Sequence, residues 1–435
     1  MIDIILQFPK SAIYFFRFSR KYVNKAVYRH IMTMVLAIVL LRGHRTYANV
    51  TRLFLESRHK SCISRCFTNS VFPGFLMQEH LYERLLTEAL ELEIPGTTGT
   101  KRVSYIIIDG TAQKKRGRKM ENTIIYKKGY TCDHFFIMGI IYFPDTGVRI
   151  PLPRRLYHTK AYCQKHKIKY RTQTELAEMM LRYANLPDDL EVIVIFDSFF
   201  PSERIINTIR QKGYHFVCSV KSNRVDKDTG KQIKEICLEH ICKGRIKNRV
   251  EIRVPSKRSR YNHPSAQRYE TKVFITYTEK LTISKMGEVQ IVFSRKADEK
   301  SELDNTRYIV TDMLHLTTNQ ILTIYSYRWQ IELFFKELKS YLGLGNYQML
   351  PFRAIIRYVD CVLMAFMYLE HLRICKLKEN PNDKRWLYSR TLQMGYILQH
   401  EVRMTNLAYL KRVIMDESSF SELERKLVEK LPLVA

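Results

Sequence analysis

Two aspartates in this chain of 435 residues stand where a carboxylate is expensive: Asp109 closes the run Ile106-Ile107-Ile108, and Asp197 closes Ile193-Val194-Ile195-Phe196. A charge at the end of a core strand has to be paired, protonated or bound to a cation. Either one alone is unremarkable, because Asp commonly ends strands and opens turns. Two that converge repel each other unless a cation lies between them, and hard oxygen donors of this kind suit Mg²⁺ or Mn²⁺. A third acid, Glu332, lies in YSYRWQIELFFKELKSYLGL with Tyr325, Arg328 and Lys339. On a helix at about 100° per residue these four fall within about 60° of one another. Ile324, Ile331, Phe334, Phe335 and Leu338 take the adjoining face. A merely solvated face would carry mostly Glu and Lys pairs, so Tyr and Arg beside Glu point to a site.

The elements that must position these residues follow from the texture of the chain. Apolar spacing at three and four predicts helices over 1–95, which then close at IPGTTGTK. From residue 96 strands take over. Arg102 to Ile108 is β-branched, and Asp133 to Tyr142 and Val148 to Leu152 flank the turn Phe143 to Gly147. A helix over Thr174 to Tyr183, a strand over Glu191 to Phe196, a helix after Pro201 and a strand over Tyr214 to Val220 complete a first core segment ending at 220. Three antiparallel strands followed by alternating helix and strand is the order of a ribonuclease H-like mixed α/β sheet, in which the first and fourth strands are neighbours. Residues 221–312 read as a β-rich insertion, 313–350 as the second core segment with a helix over Thr317 to Leu342, and 351–435 as helical again.

Charge narrows the partner. The chain has 72 Lys and Arg against 43 Asp and Glu, a net +29, on an ordinary 46% hydrophobic content. Such a surplus is aimed at a polyanion and makes acidic substrates poor candidates. Lys114, Lys115, Arg116 and Arg118 read as a basic loop shortly after Asp109. Lys221 and Arg224 follow the fifth strand at the same sheet end. Both groups are candidate DNA-backbone contacts. In the N-terminal helices a helix around Tyr47 to Leu55, a basic turn with Arg58 and Lys60, and a second helix capped by Ser61 resemble a helix-turn-helix; plain bundle packing is the alternative. Cys237, His240 and Cys242 offer three soft ligands without an evident fourth, and ordinary thiols are the simpler reading. Asp133 and His134 are expected at an exposed strand end. Nine cysteines with no C-x-x-C pair fit a reducing, cytoplasmic setting. The longest apolar run, Ile31 to Leu41, is too short for a membrane span, which needs about 20 residues.

The spacing Tyr325-x2-Arg328-x3-Glu332-x6-Lys339 resembles the Y-x2-R-x3-E-x6-K signature of bacterial insertion-sequence transposases of the DDE class, typified by the family-four insertion sequences. The D-G-T at Asp109, the second Asp after an apolar strand and the β-rich insertion belong to the same resemblance, which spans roughly 100 to 375. It implies a nucleoid-associated enzyme that binds terminal inverted repeats and performs cut-and-paste cleavage and strand transfer. Asp109, Asp197 and Glu332 would then hold two Mg²⁺ ions, with Mn²⁺ able to substitute. Tyr325, Arg328 and Lys339 would hold transposon-end phosphates, and two ends would be paired in a homodimeric synapse on double-stranded DNA. Members of the group commonly extrude a base at the transposon end. Trp329 is the candidate to wedge or stack there, and Tyr308 or another insertion aromatic would substitute for the insertion tryptophan on which some relatives stack that base and which this chain lacks. A non-catalytic DNA-binding regulator and a general ribonuclease H-like nuclease are the competing readings.

Overall fold

The computed structural model describes residues 4–41, 43–92, 101–115, 119–125, 132–255, 269–298, 303, 305–381, 386 and 391–430. Helices α1 (Lys10–Phe16), α2 (Lys25–Leu40), α3 (Tyr47–Arg52), α4 (Lys60–Asn69) and α5 (Gly74–Leu90) open the chain. Next come β1 (Arg102–Lys115), β2 (Ile124–Ile125), β3 (Cys132–Tyr142), β4 (Arg149–Pro151), β5 (Arg155–Leu156), α6 (Lys160–His166), α7 (Gln173–Tyr183), β6 (Leu190–Phe196), α8 (Glu203–Gln211) and β7 (His215–Val220). The remainder is α9 (Ile233–Cys242), β8 (Asn248–Pro255), β9 (Tyr269–Ile283), β10 (Gly287–Lys296), β11 (Arg307–Thr311), α10 (Thr318–Ser326), α11 (Trp329–Ser340), α12 (Phe352–Glu379), α13 (Thr391–Ile414) and α14 (Glu417–Lys430).

All strands join one mixed sheet with the main order β2-β3-β1-β6-β7-β11-β10-β9-β8. Its centre is the parallel trio β1, β6 and β7, whose Ile and Val side chains, the half-buried Val103 apart, are buried on both faces, as parallel strands covered by helices require. β3 runs antiparallel to β1, and the insertion is an antiparallel meander that joins β7 through β11. The insertion therefore extends the central sheet. It also opens with α9, a helix that the strand-rich reading of 221–312 did not include. A second difference is in β1, expected to stop at Ile108. The strand runs on to Lys115, because β3 pairs with it from Tyr105–Tyr142 to Lys115–Cys132.

One continuous hydrophobic core reaches from the first helices through the sheet into α12, which is buried along nearly its whole length. α12 also carries buried charges, each met by a partner. The Asp360 carboxylate accepts from Gln78 Nε2 at 2.6 Å and from Arg154 Nη2 at 2.8 Å, which ties α5 and the segment after β4 to this helix. Among the described residues, no helix is long and apolar enough to cross a membrane.

Candidate active site

The last β1–β6 pair is Ile107–Ile195, so Asp109 and Asp197 stand level, each two residues further along strands about 4.8 Å apart. Period-two alternation puts both carboxylates on one face. β6 ends at Phe196 while β1 continues, so Asp109 lies within its strand and past the edge of its parallel neighbour; the expectation that it terminates the strand is corrected accordingly. Asp197 Oδ1 accepts the Phe199 N–H at 2.9 Å, and Asp109 Oδ1 accepts the Gly110 N–H at 2.7 Å. A Cβ on Gly110 would stand 2.4 Å from Phe135 Cζ, so glycine is what lets that ring lie across the strand. Burial pushes the Asp109 carboxyl up to about 6; the Gly110 N–H and Arg328 oppose the shift, and the negative charges of Asp197 and Glu332 add to it.

Glu332 reaches this place from α11. The single helix expected over Thr317 to Leu342 is two helices, joined through Tyr327 and Arg328. The N–H groups of Tyr327, Arg328, Gln330 and Ile331 there donate to carbonyls three residues back. In such a tight turn, positions three apart eclipse, which sets Arg328 on the same side of the helix as Tyr325. The Arg328 guanidinium lies between two of the acids: Nη1 is 3.3 Å from Asp109 Oδ2, and Nη2 donates to Glu332 Oε1. Burial lowers its proton affinity, but Tyr325, Glu332 and Asp109 outweigh that and hold it above the ordinary arginine range. The Tyr325 hydroxyl, itself pushed up by burial, bonds Ser219 on β7. Two contacts fix α11 lower down: the buried Arg149 Nη2 meets Glu337 Oε2 at 2.8 Å, and the half-buried Lys339 Nζ donates to the Ala112 carbonyl at 2.9 Å. Burial pulls the Lys339 ammonium below its usual range.

The donor chemistry of Asp109, Asp197 and Glu332 fits a hard divalent ion, which would relieve the crowding that raises Asp109. Among the described residues, no three His, Cys, Asp or Glu side chains stand close enough to form a ready cage, and Arg328 sits between two of these three. Two cavities open beside the acids. One, of about 520 Å³, is lined by Asp197, Ser219, Ser222, Lys234, Arg307 and Arg328. The other, of about 170 Å³, holds Trp329 and Phe274 with Lys272, Lys296 and Arg307. Tyr325, Arg328 and Arg307 line both.

Several sequence expectations are relocated. Lys114 and Lys115 belong to β1 and not to a loop. Lys114 is exposed, but Lys115 is buried: its ammonium donates to the Tyr347 carbonyl at 2.8 Å and to that of Gly345, and lies 3.5 Å from the Tyr347 ring centroid, so it holds the chain after α11 and does not face a ligand. Arg116 and Arg118 lie outside the described residues. Lys221 is exposed at the same sheet end as Asp197, whereas Arg224 donates to the Pro201 carbonyl in the loop after Asp197. Arg58 and Lys60 are exposed at the α3–α4 turn, but the cap of α4 is His59, whose Nδ1 accepts the Ser61 N–H at 3.3 Å; Ser61 is already inside the helix. Asp133 and His134 are buried, contrary to expectation, and His134 bonds the Tyr347 hydroxyl and the Glu121 carbonyl, both at 2.8 Å. Cys237 and His240 are buried, and His240 Nε2 meets Glu279 Oε1 at 2.6 Å. Tyr308 packs edge-on against Phe293 and lines the Asp197 cavity; the insertion aromatic beside Trp329 is Phe274. Phe274 and Arg307 carried no signal in the sequence, because strand pairing alone brings Arg307 to the Asp197 cavity and Phe274 to Trp329.

Asp109 within β1 and Asp197 just past β6 thus stand level at one end of a mixed α/β sheet of the ribonuclease H-like kind, with Glu332 on a following helix. Residues 104–367 match the transposase DDE domain family, and the chain belongs to that family. Among curated proteins, none matches it.

Proposed function

We propose that this transposase binds the terminal inverted repeats of an insertion sequence of the family-four type and cuts and rejoins DNA at Asp109, Asp197 and Glu332. The observation that carries the reading is Arg328, at the junction of the two signature helices, paired with both Asp109 and Glu332, while Asp197 stands level with Asp109 on the neighbouring strand end. Two Mg²⁺ ions held by these carboxylates, or Mn²⁺ in their place, would activate the attacking water or 3′-hydroxyl and stabilise the leaving oxygen. Arg328 serves two states of the centre. Without DNA it neutralises Asp109 and Glu332; with a phosphodiester present its fork turns to the phosphate oxygens. Lys339 and Tyr325 flank the same path, and exposed Lys114, Lys221, Arg58 and Lys60 add backbone contacts further out. Trp329 and Phe274, facing one cavity with Lys272 and Lys296 at its side, suit an extruded base whose phosphates lie on the cations. Cleavage of two ends in one complex calls for a homodimeric synapse.

Supercoiled plasmids with and without the DNA that flanks the coding region test this reading. Wild-type protein with Mg²⁺ is expected to cut only the plasmid carrying the ends, and Glu332→Gln to bind those ends without cutting. Mg²⁺-dependent nicking retained by Glu332→Gln, or cutting indifferent to the ends, would overturn it.

A further inference from the structure

Cations crowd one exposed stretch that neither the signature nor the acids use. Between β5 and α7, Lys160, Lys165, Lys167, Lys169 and Arg171 are all exposed, and no acidic residue lies between positions 160 and 174. From Lys165 to Arg171 a cation recurs at every second position. Among the described residues, the one ion pair these five make is Lys165 with Glu121 at 3.9 Å.

The stretch is a built surface. On its inner side Cys163 is buried, Tyr162 packs edge-on against Phe352 with ring centroids 5.3 Å apart, and Tyr170 meets Tyr157 at 6.4 Å. Asn122 fastens its start, accepting the Thr159 N–H at 2.8 Å and donating to the Tyr157 carbonyl at 2.9 Å. Its end is fastened by the capping box of Thr172 and Glu175 on α7. The stretch is also joined through strand pairing to the strand that carries Asp109. It leaves β5, which pairs with β3 at Leu156–Phe136, and Phe136 pairs in turn with Thr111, two residues past Asp109. At its far end α7 is tied to α8 by Arg204, seven residues after Asp197, whose Nε lies 2.9 Å from Glu178 Oε2.

We propose that residues 160–171 form a rim that grips the phosphate backbone of duplex DNA running away from the reaction centre. The rim rests on the reading of the three acids as a DNA-cutting centre, and it adds a partner surface outside the signature. A repeating polyanion matches cations set at regular intervals on an anchored support. An anionic membrane would also want a broad apolar face beside the charges, and Ile168, 40% exposed, is the one large aliphatic side chain the stretch offers.

The test is the salt dependence of binding to a labelled duplex that lacks transposon ends, which reads the rim without catalysis. The variant K165Q/K167Q/K169Q/R171Q is expected to melt like wild type, to bind about tenfold more weakly at 0.15 M salt, and to flatten the log–log salt slope by about 2 to 4. K165Q/K167Q gives half the effect and serves if the fourfold variant melts early. K243Q/R245Q/K247Q, at the end of α9, is expected to bind as wild type. An unchanged affinity and slope in the fourfold variant overturns the rim, as does an equal loss in the α9 variant, which would reduce the effect to net charge. Loss of binding to phosphatidylserine vesicles with duplex binding intact would overturn it in favour of a membrane surface. If the fourfold variant loses duplex binding while wild type cuts no end-bearing plasmid, the rim stands and the reading of the centre falls. If wild type cuts and the variant binds normally, the reverse holds.

Discussion

Asp109 gives the centre a pH signature. Its carboxyl is raised from 3.8 to about 6 in the folded chain, so between these values the native state holds more protons than the unfolded one. Stability therefore falls as pH rises through this window and stays lower above it. Asp109→Asn should remove that slope, giving a metal-free protein that melts higher than wild type at pH 7.5 and level with it near pH 4. Melting curves across pH 4–8 measure this; an unchanged slope in the variant would refute the assignment. Gly110 makes a second residue-scale prediction. A methyl group there meets the Phe135 ring, so Gly110→Ala should cost about 1–3 kcal/mol and slow cleavage by displacing Asp109, read by denaturant melts and the plasmid assay. The two aspartates were legible in the sequence because each follows an uninterrupted apolar run, and Glu332 because it shares a helical face with Tyr325, Arg328 and Lys339. The burial of Lys115 and His134 was not, because their partners Tyr347 and Glu121 reach them through folding alone.

At the scale of elements, α11 has to hold Glu332 at a fixed height over the sheet. The more deeply buried of its two anchors is the pair five residues on, between Arg149 and Glu337, both nearly inaccessible. Removing one member of such a pair leaves a buried charge short of its partner. Glu337→Gln is expected to destabilise the fold by about 3 kcal/mol, with Glu370, 3.6 Å from Arg149, limiting the loss. Denaturant melts at pH 7.5 check it, and a variant as stable as wild type would show that α11 is held otherwise. The helical period over Thr317 to Leu342 was readable from its apolar face. The break at Tyr327–Arg328 was not, since no Gly or Pro marks it. Likewise β1 outran its β-branched run because β3 supplied a partner for Asp109 to Lys115, a polar stretch with no strand pattern of its own.

At the scale of the whole molecule, the first five helices belong to the common core. Phe15 packs against Tyr368 and His371 of α12, and Gln78 of α5 bonds Asp360. A chain begun at residue 96 should therefore lack a cooperative thermal transition and aggregate, which circular dichroism and size-exclusion chromatography would show. A truncated chain that melts cooperatively would mark the helices as a separable unit. The single sheet has a mechanical meaning as well. Asp197 at the end of β6, Arg307 on β11 and Phe274 on β9 are linked by unbroken rungs of backbone hydrogen bonds, so the distance from Asp197 to the aromatic cavity is set by strand spacing and behaves as a fixed gauge. A rigid gauge leaves the bending and unpairing to the DNA. End sequences with an easily unstacked step at the junction, such as TA or CA, should therefore be cut faster than stiff A-tracts placed there, even where no side chain reads the bases.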